Sequence, residues 1–150
     1  MIEELFIGLT FIGAGGYVVL QGAMDISLGI DSESWPTVQG EVTERGVEST
    51  AGNRGGRLYA PLIRYRFSYQ GENYVCDNIK IGGLISSNIR NIALNAINQY
   101  HTNQTVIVSV CPEDPTKSVL QAGISKTTYF VIGVGLIFFS IGVKKLMYFF

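Results

Sequence analysis

The sequence predicts an α+β membrane protein in which two transmembrane helices flank a small antiparallel β domain of β-β-β-α-β order. Three observations predict this class: an uncharged segment near each end, alternating apolar residues between them, and one stretch with helical periodicity. With 150 residues, 15% of them charged, and a mean hydropathy of +0.25, the chain is poor in charge for a soluble domain. We predict that residues 1–26 and 125–150 hold the membrane helices and that residues 27–124 form the extramembrane domain.

Both uncharged segments are suited to membrane helices. No charge interrupts the 20 residues of 5–24 or the 17 residues of 127–143, and about 20 helical residues cross a hydrocarbon core of about 30 Å. The acidic start at residues 1–4 argues against a cleaved signal peptide, which starts with basic residues. Lys144 and Lys145 follow the second segment, which predicts an inner-membrane protein with both termini in the cytoplasm and an extracytoplasmic middle domain.

Small residues recur at intervals of seven in both uncharged segments. Seven residues are nearly two helical turns, so each set lies on one stripe and lets helix backbones approach closely. We predict helix packing, within the chain or onto a partner, through Gly8, Gly15, Gly22, Gly135 and Gly142. The alternative is that glycine is simply frequent in membrane helices.

Alternation of apolar and polar residues predicts the strands of the middle domain. Residues 59–69 carry apolar side chains at odd positions, and Gln70-Gly71 is a tight turn into a returning strand over 72–81. This turn places Tyr65 opposite Cys76. A weaker strand covers 38–45, and a last strand over 105–111 has a buried valine face. The Gly-rich segment 46–57 is predicted to be a long mobile loop.

One segment after Gly82-Gly83 changes to a helical period. Its apolar positions follow the i, i+3, i+4, i+7 pattern of one amphipathic helix. Ser86 or Ser87 is the expected N-cap. The predicted buried side is formed by Ile89, Ile92, Ala93, Ala96, Ile97 and Tyr100.

Four motifs in order resemble one known family. They are WPTVQGEV at 35–42, YxPxIxYxF at 59–67, GExY at 71–74 and VxVxVxPEDPxxSVL at 106–120. Together, over residues 34–123, the chain resembles the DUF3592 family, bacterial membrane proteins with a small β-rich domain between hydrophobic segments. The resemblance implies this fold and a membrane location, and it implies no activity.

The acidic pair after the last strand raises the question of a metal site or an acid/base pair. A structural corner accounts for Pro112, Glu113, Asp114 and Pro115, because each proline ends a strand and Asp bonds nearby backbone N–H groups. A metal would need more converging ligands, and the single histidine, His101, lies at the end of the predicted helix. No metal, cofactor or catalytic residue is predicted.

Strand alternation predicts the direction of the two cysteine side chains. Cys76 is predicted to point into the core, whereas Cys111 has the opposite parity from the valines before it and is predicted to point outward. An extracytoplasmic location would permit a Cys76–Cys111 disulfide, but this parity argues against the converging geometry that the bond requires.

The favoured function is a non-catalytic, membrane-anchored protein-binding module, an accessory subunit of a larger membrane complex. Its expected partners are the lipid bilayer and another membrane protein or further copies of the chain. With 11 basic and 12 acidic residues, nothing indicates a nucleic-acid partner. One alternative is an immunity or inhibitor protein whose extracytoplasmic domain binds a toxin. The other is an enzyme or transporter, which the lack of a catalytic triad and of charges in the spans disfavours.

Overall fold

Two long apolar helices at the ends of the chain pack against each other and flank the β-rich part. The computed structural model describes residues 2–52, 55–83 and 86–147. Helices α1, α2 and α3 cover Ile2–Ser32, Arg90–Ile97 and Lys126–Met147. By length and composition, α1 and α3 are each able to cross a membrane. The α+β layout with terminal apolar helices around an antiparallel sheet is therefore confirmed.

The main sheet has four antiparallel strands in the order β3-β2-β1-β5. Strands β1, β2 and β3 cover Thr37–Ala51, Arg57–Tyr69 and Glu72–Cys76, and β5 covers Thr105–Ser109 after α2. This sheet with its helix has the predicted β-β-β-α-β order. Two short strands were not predicted: β4, Lys80–Ile81, pairs in parallel with β6, Gln121–Ile124. The predicted strand over 72–81 is wrong in length, because the chain leaves the main sheet after Cys76.

The β2–β3 hairpin has the predicted register. Gln70 and Gly71 both have positive φ, 51° and 87°, as in a type I′ two-residue hairpin turn. Tyr65 then lies opposite Cys76, as predicted. The alternation is also confirmed, since Ile63 and Tyr65 are fully buried whereas Arg64 and Arg66 are exposed.

The β1–β2 hairpin is much longer than the sequence indicates. Residues 46–51 pair with residues 57–62, so the prediction of a mobile loop over 46–57 is wrong for most of this segment. The last residue pair of this ladder is Ala51 and Arg57. Asn53 and Arg54, in the segment between them, lie outside the described residues. Glycine and polar residues are typical of loops. The hydrogen bonds of the ladder, however, are made by backbone groups, which these residues also have.

Helix α2 is shorter than predicted and buries a narrower face. Ala93 and Ile97 are buried, and Tyr100 follows them into the core. Ile89 and Ile92 are 53% and 52% exposed, so their predicted burial is wrong. Ile89 precedes the first helical residue, and eight residues offer only two turns to the sheet.

The N-terminus of α2 also differs from the expected cap. The cap position is Ile89, which makes no side-chain cap. The hydroxyl of Ser87 instead accepts a hydrogen bond from the Ile89 N–H at 3.1 Å. Ser87 also exchanges two backbone hydrogen bonds with Tyr59, at 2.7 and 2.9 Å, so this segment adds a bridge to the edge of β2.

The hydrophobic core lies between one face of the main sheet, α2 and the segment after β5. All four main strands contribute to it. Its buried members are Val42, Ile63, Tyr65, Phe67, Cys76, Ile79, Ile97, Tyr100, Val106, Val108 and Val110.

Candidate functional site

The predicted packing glycines lie where α1 meets α3. A Cβ atom on Gly15 would lie 2.6 Å from the backbone N of Phe139 and 2.7 Å from the carbonyl O of Gly135. One on Gly142 would lie 2.8 Å from the carbonyl O of Gly8. These separations are shorter than van der Waals contact, so the two helix backbones touch directly at these residues.

The same stripe continues beyond the uncharged segment. Gly22 faces Ile132 of α3, and Gly29, seven residues later, faces Ile124 of β6. The hydroxyl of Ser32 accepts a hydrogen bond from the Gly123 N–H at 2.8 Å and donates to the Gly29 carbonyl at 2.6 Å. The last turns of α1 are therefore fixed to β6. Sequence reasoning missed Gly29, although it follows Gly22 at the same interval of seven residues.

The Pro112–Pro115 segment forms a compact corner. Asp114 caps a 3-10 turn at Pro115–Lys117, and its carboxylate accepts from the N–H and the hydroxyl of Thr116. The bond from the Thr116 hydroxyl is the main cause that lowers the pKa of Asp114, and Lys117, with its Nζ at 3.4 Å, contributes. Within the described residues, no three His, Cys, Asp or Glu side chains are grouped to hold a metal ion.

The Tyr65 hydroxyl joins this corner to the sheet. It lies 2.7 Å from the carbonyl O of Ser118 and 2.9 Å from that of Asn78, and its one proton is donated to one or the other. Burial raises the pKa of Tyr65 well above its ordinary value. This hydroxyl stays protonated and serves as a structural donor.

Both cysteines are buried free thiols in this structure. The prediction that Cys111 points outward is wrong, because β5 ends at Ser109 and strand parity no longer applies beyond it. Cys111 lies under the corner and donates its N–H to the Ser118 hydroxyl at 3.3 Å. The Cys76 Sγ lies 3.5 Å from the carbonyl O of Thr116. Burial, with Asp77 and Asp114 nearby, raises the pKa of Cys76 to about 11.

The face of the main sheet opposite the core is not covered by the described residues. We call it the open sheet face. It consists of Gln39, Glu41, Glu44, Arg64, Arg66, Ser68, Asn73, Val75 and Ile107, eight of them exposed and Glu41 half-buried. Two ion pairs cross it, Arg66–Glu41 and Arg64–Glu44, each with an N–O distance of 2.6 Å. Such exposed pairs neutralise the face and add little stability.

Two apolar side chains lie at opposite edges of this face. Val75 on β3 is 62% exposed and Ile107 on β5 is 57% exposed. A groove that begins at Val75 runs over the β3 residues and along Arg66, Glu41 and Gln39. Sequence reasoning did not identify this pair. The available signal was an apolar residue at the parity that is otherwise polar in each strand.

Both outer strands present peptide groups to the outside. Tyr69 and Glu72 close the two-residue turn, so alternation along β3 directs the peptide groups of Asn73 and Val75 away from β2. On β5, the peptide groups of Ser109 exchange backbone hydrogen bonds with Val119 on the side away from β1. Because the direction of the peptide groups alternates along a strand, those of Ile107 also point away from β1. Open edges of this kind can accept an added strand.

The comparisons with known proteins concern the segment that contains these features. Residues 38–125, well over half of the chain, match the family model described as "Domain of unknown function (DUF3592)". The match runs from the second residue of β1 through the corner and β6 and ends at Ser125, just before α3. No curated protein matches the chain.

Proposed function

This chain belongs to the DUF3592 family, and we propose that it is a non-catalytic, membrane-anchored protein-binding module, an accessory subunit of a larger membrane complex. The observation that carries the proposal is the open sheet face. Among the described residues, the four-stranded sheet is covered by α2 on one side only, and its other side holds a neutral, ion-paired surface with an exposed apolar residue at each edge.

The membrane anchor in this proposal consists of α1 and α3. Both have the length and the hydropathy of membrane spans, and their backbones are in direct contact along the glycine stripe, as membrane helices pack. Lys144 and Lys145 in the last turn of α3 favour a cytoplasmic C-terminus in the inner membrane. The antiparallel pair then puts both termini in the cytoplasm and the sheet outside.

The open sheet face has the composition expected of a transient protein interface. It combines polar groups with a few exposed apolar side chains, and its two edges offer backbone donors and acceptors. Each arginine on this face is neutralised by the glutamate that it pairs with. Shape and backbone pairing, rather than long-range electrostatic attraction, would therefore select the binding protein.

Site-specific photocrosslinking in native membranes tests the proposal. A photoreactive amino acid at Val75 or Ile107 should yield one abundant crosslinked protein, identified by mass spectrometry. Ile92 is the matched control, since it is 52% exposed but lies on α2 on the opposite side of the sheet. Crosslinking from Ile92 alone, or from none of the three positions, would contradict the proposed binding face. A secreted soluble protein as the product would indicate the inhibitor alternative.

A further inference from the structure

Helix α1 has a second distinctive face, turned away from α3. Between Leu5 and Met24 the polar side chains are Thr10, Tyr17 and Gln21. With Gly13 they are spaced by three or four residues, so they lie on one side of the helix, and all four are exposed. We call these four residues the polar face of α1. The glycine stripe that contacts α3 lies elsewhere on the helix.

The polar face has unused hydrogen-bonding capacity. The Gln21 amide donates to the Tyr17 hydroxyl at 3.1 Å. This bond leaves the Tyr17 proton, one Gln21 N–H and the Gln21 carbonyl oxygen without a partner among the described residues. In water these groups would be solvated, but in hydrocarbon each unpaired polar group carries a free-energy cost.

The exposed side of α3 differs in this respect. It is lined mainly by large apolar residues such as Phe130, Leu136 and Ile137, which suit lipid. Its exposed hydroxyl at Ser140 donates to the Leu136 carbonyl of its own helix at 2.8 Å. Thr10 on α1 is satisfied in the same way, by the Phe6 carbonyl at 2.8 Å. Near the domain end of α3 the exposed Tyr129 hydroxyl also bonds no described residue. Farther from the domain, the unmet demand is concentrated at Tyr17 and Gln21.

We propose that a second copy of this chain packs against the polar face of α1 in the membrane. The inference rests on the membrane insertion proposed above. Two copies insert in the same direction, so their α1 helices run parallel about a two-fold axis, and Gln21 meets Gln21 at the same depth. An amide is both donor and acceptor, so the two side chains satisfy each other. At Gly13 a Cβ would have no neighbour within 4 Å, which leaves room for the approaching helix.

Disulfide crosslinking in native membranes tests the geometry. Met24 continues the polar face seven residues after Tyr17, whereas the adjacent Ala23 is exposed on another side of α1. Under a mild oxidant, Met24→Cys should form a covalent dimer, and Ala23→Cys should remain monomeric. The unmodified chain controls for the buried native thiols. A dimer from Ala23→Cys but not from Met24→Cys, or a Met24→Cys crosslink only to a different protein, would overturn the proposal.

Dilution of labelled protein in phosphatidylcholine vesicles tests the chemistry, with subunits counted by single-molecule photobleaching. Gln21→Leu should weaken the dimer about tenfold, which corresponds to about 1.4 kcal/mol. Thr10→Val is the matched control, since its hydroxyl is already bonded within the helix, and it should leave the dimer unchanged. Equal effects of the two variants, or a monomer at every dilution, would exclude this dimer.

Resistance to alkaline carbonate extraction separates the two ideas. A monomer that stays in the membrane pellet would overturn the dimer while leaving the membrane anchor intact. Release of the chain into the supernatant would remove the basis of both.

Discussion

The buried hydroxyl of Tyr65 is the clearest single-atom contribution to the fold. Its one proton is donated to the carbonyl of Ser118 or to that of Asn78, and both carbonyls lie on segments that enclose the core. Tyr65→Phe should lower the free energy of unfolding by about 1–3 kcal/mol, because a buried acceptor is then left unpaired. Denaturant titration in detergent measures this. Tyr69→Phe on the same strand and face is the control, since the Tyr69 hydroxyl bonds no described residue; equal losses would contradict this role.

The thiol of Cys76 should be inert in the folded protein. Its pKa is raised to about 11, chiefly by burial, so at pH 7 it is protonated and shielded. In a Cys111→Ala background, maleimide should label it only after unfolding in SDS. Rapid labelling of the native protein at pH 7 would contradict this expectation.

The same shift gives a direction for stability against pH. The folded pKa lies above the ordinary value of 9.0, so the contribution of this thiol to stability is complete below about pH 9 and declines as the pH rises toward 11. Cys76→Ser should alter the unfolding free energy at pH 7 without showing this decline.

The limits of sequence reasoning are also visible in single residues. The register of Tyr65 against Cys76 could be predicted, because turn length and alternation fix it locally. The position of Cys111 could not, because parity holds only inside a strand and Cys111 follows the end of β5. Its burial depends on the corner that folds over it.

Among the elements, the contact between α1 and α3 offers the sharpest test. Gly15→Ala places a methyl group against the backbone of α3, whereas Gly16→Ala meets nothing within 4 Å. Both changes gain the same helix propensity, so their difference isolates the packing. Gly15→Ala should be less stable than Gly16→Ala by about 1–3 kcal/mol. SDS titration monitored by circular dichroism measures the difference, and equal stabilities would show that the helices do not need this contact.

Elements differ in how far the sequence determines them. The terminal helices follow from long uncharged segments, and the β2–β3 hairpin follows from its turn residues and alternation. Strands β4 and β6 have two and four residues, too few for any periodicity. They form where α1 packs against both segments and its Ser32 hydroxyl bonds Gly123 of β6. Similarly, the paired residues 46–51 carry a loop-like composition, and only their partner strand makes them a ladder.

For the whole molecule, the proposed orientation in a membrane is the property to test first. A phosphatase reporter inserted at Gly55, at the exposed end of the β1–β2 hairpin, should be active because that enzyme requires the extracytoplasmic side. A cytoplasmic reporter fused after α3 should be active in the opposite compartment. The reverse pattern at both positions would invert the topology and place the open sheet face in the cytoplasm.

The sequence predicts the overall architecture but not which residues form its exposed surfaces. Charge distribution and alternation indicate terminal helices around a sheet and which face of the sheet is buried. They do not show whether a further element covers the opposite face. Val75 and Ile107 are exposed because α2 and the corner both pack on the buried side.

The junction of α1 with β6 determines how the domain can move. A helix of 31 residues is about 46 Å long, which exceeds the hydrocarbon thickness, and its last turn is bonded to the domain through Ser32 and Gly123. In a membrane, α1 and this junction would connect the domain to the bilayer rigidly rather than flexibly. The sheet would be held at one height and angle above the lipid, so any tilt of α1 would tilt the whole domain by the same angle.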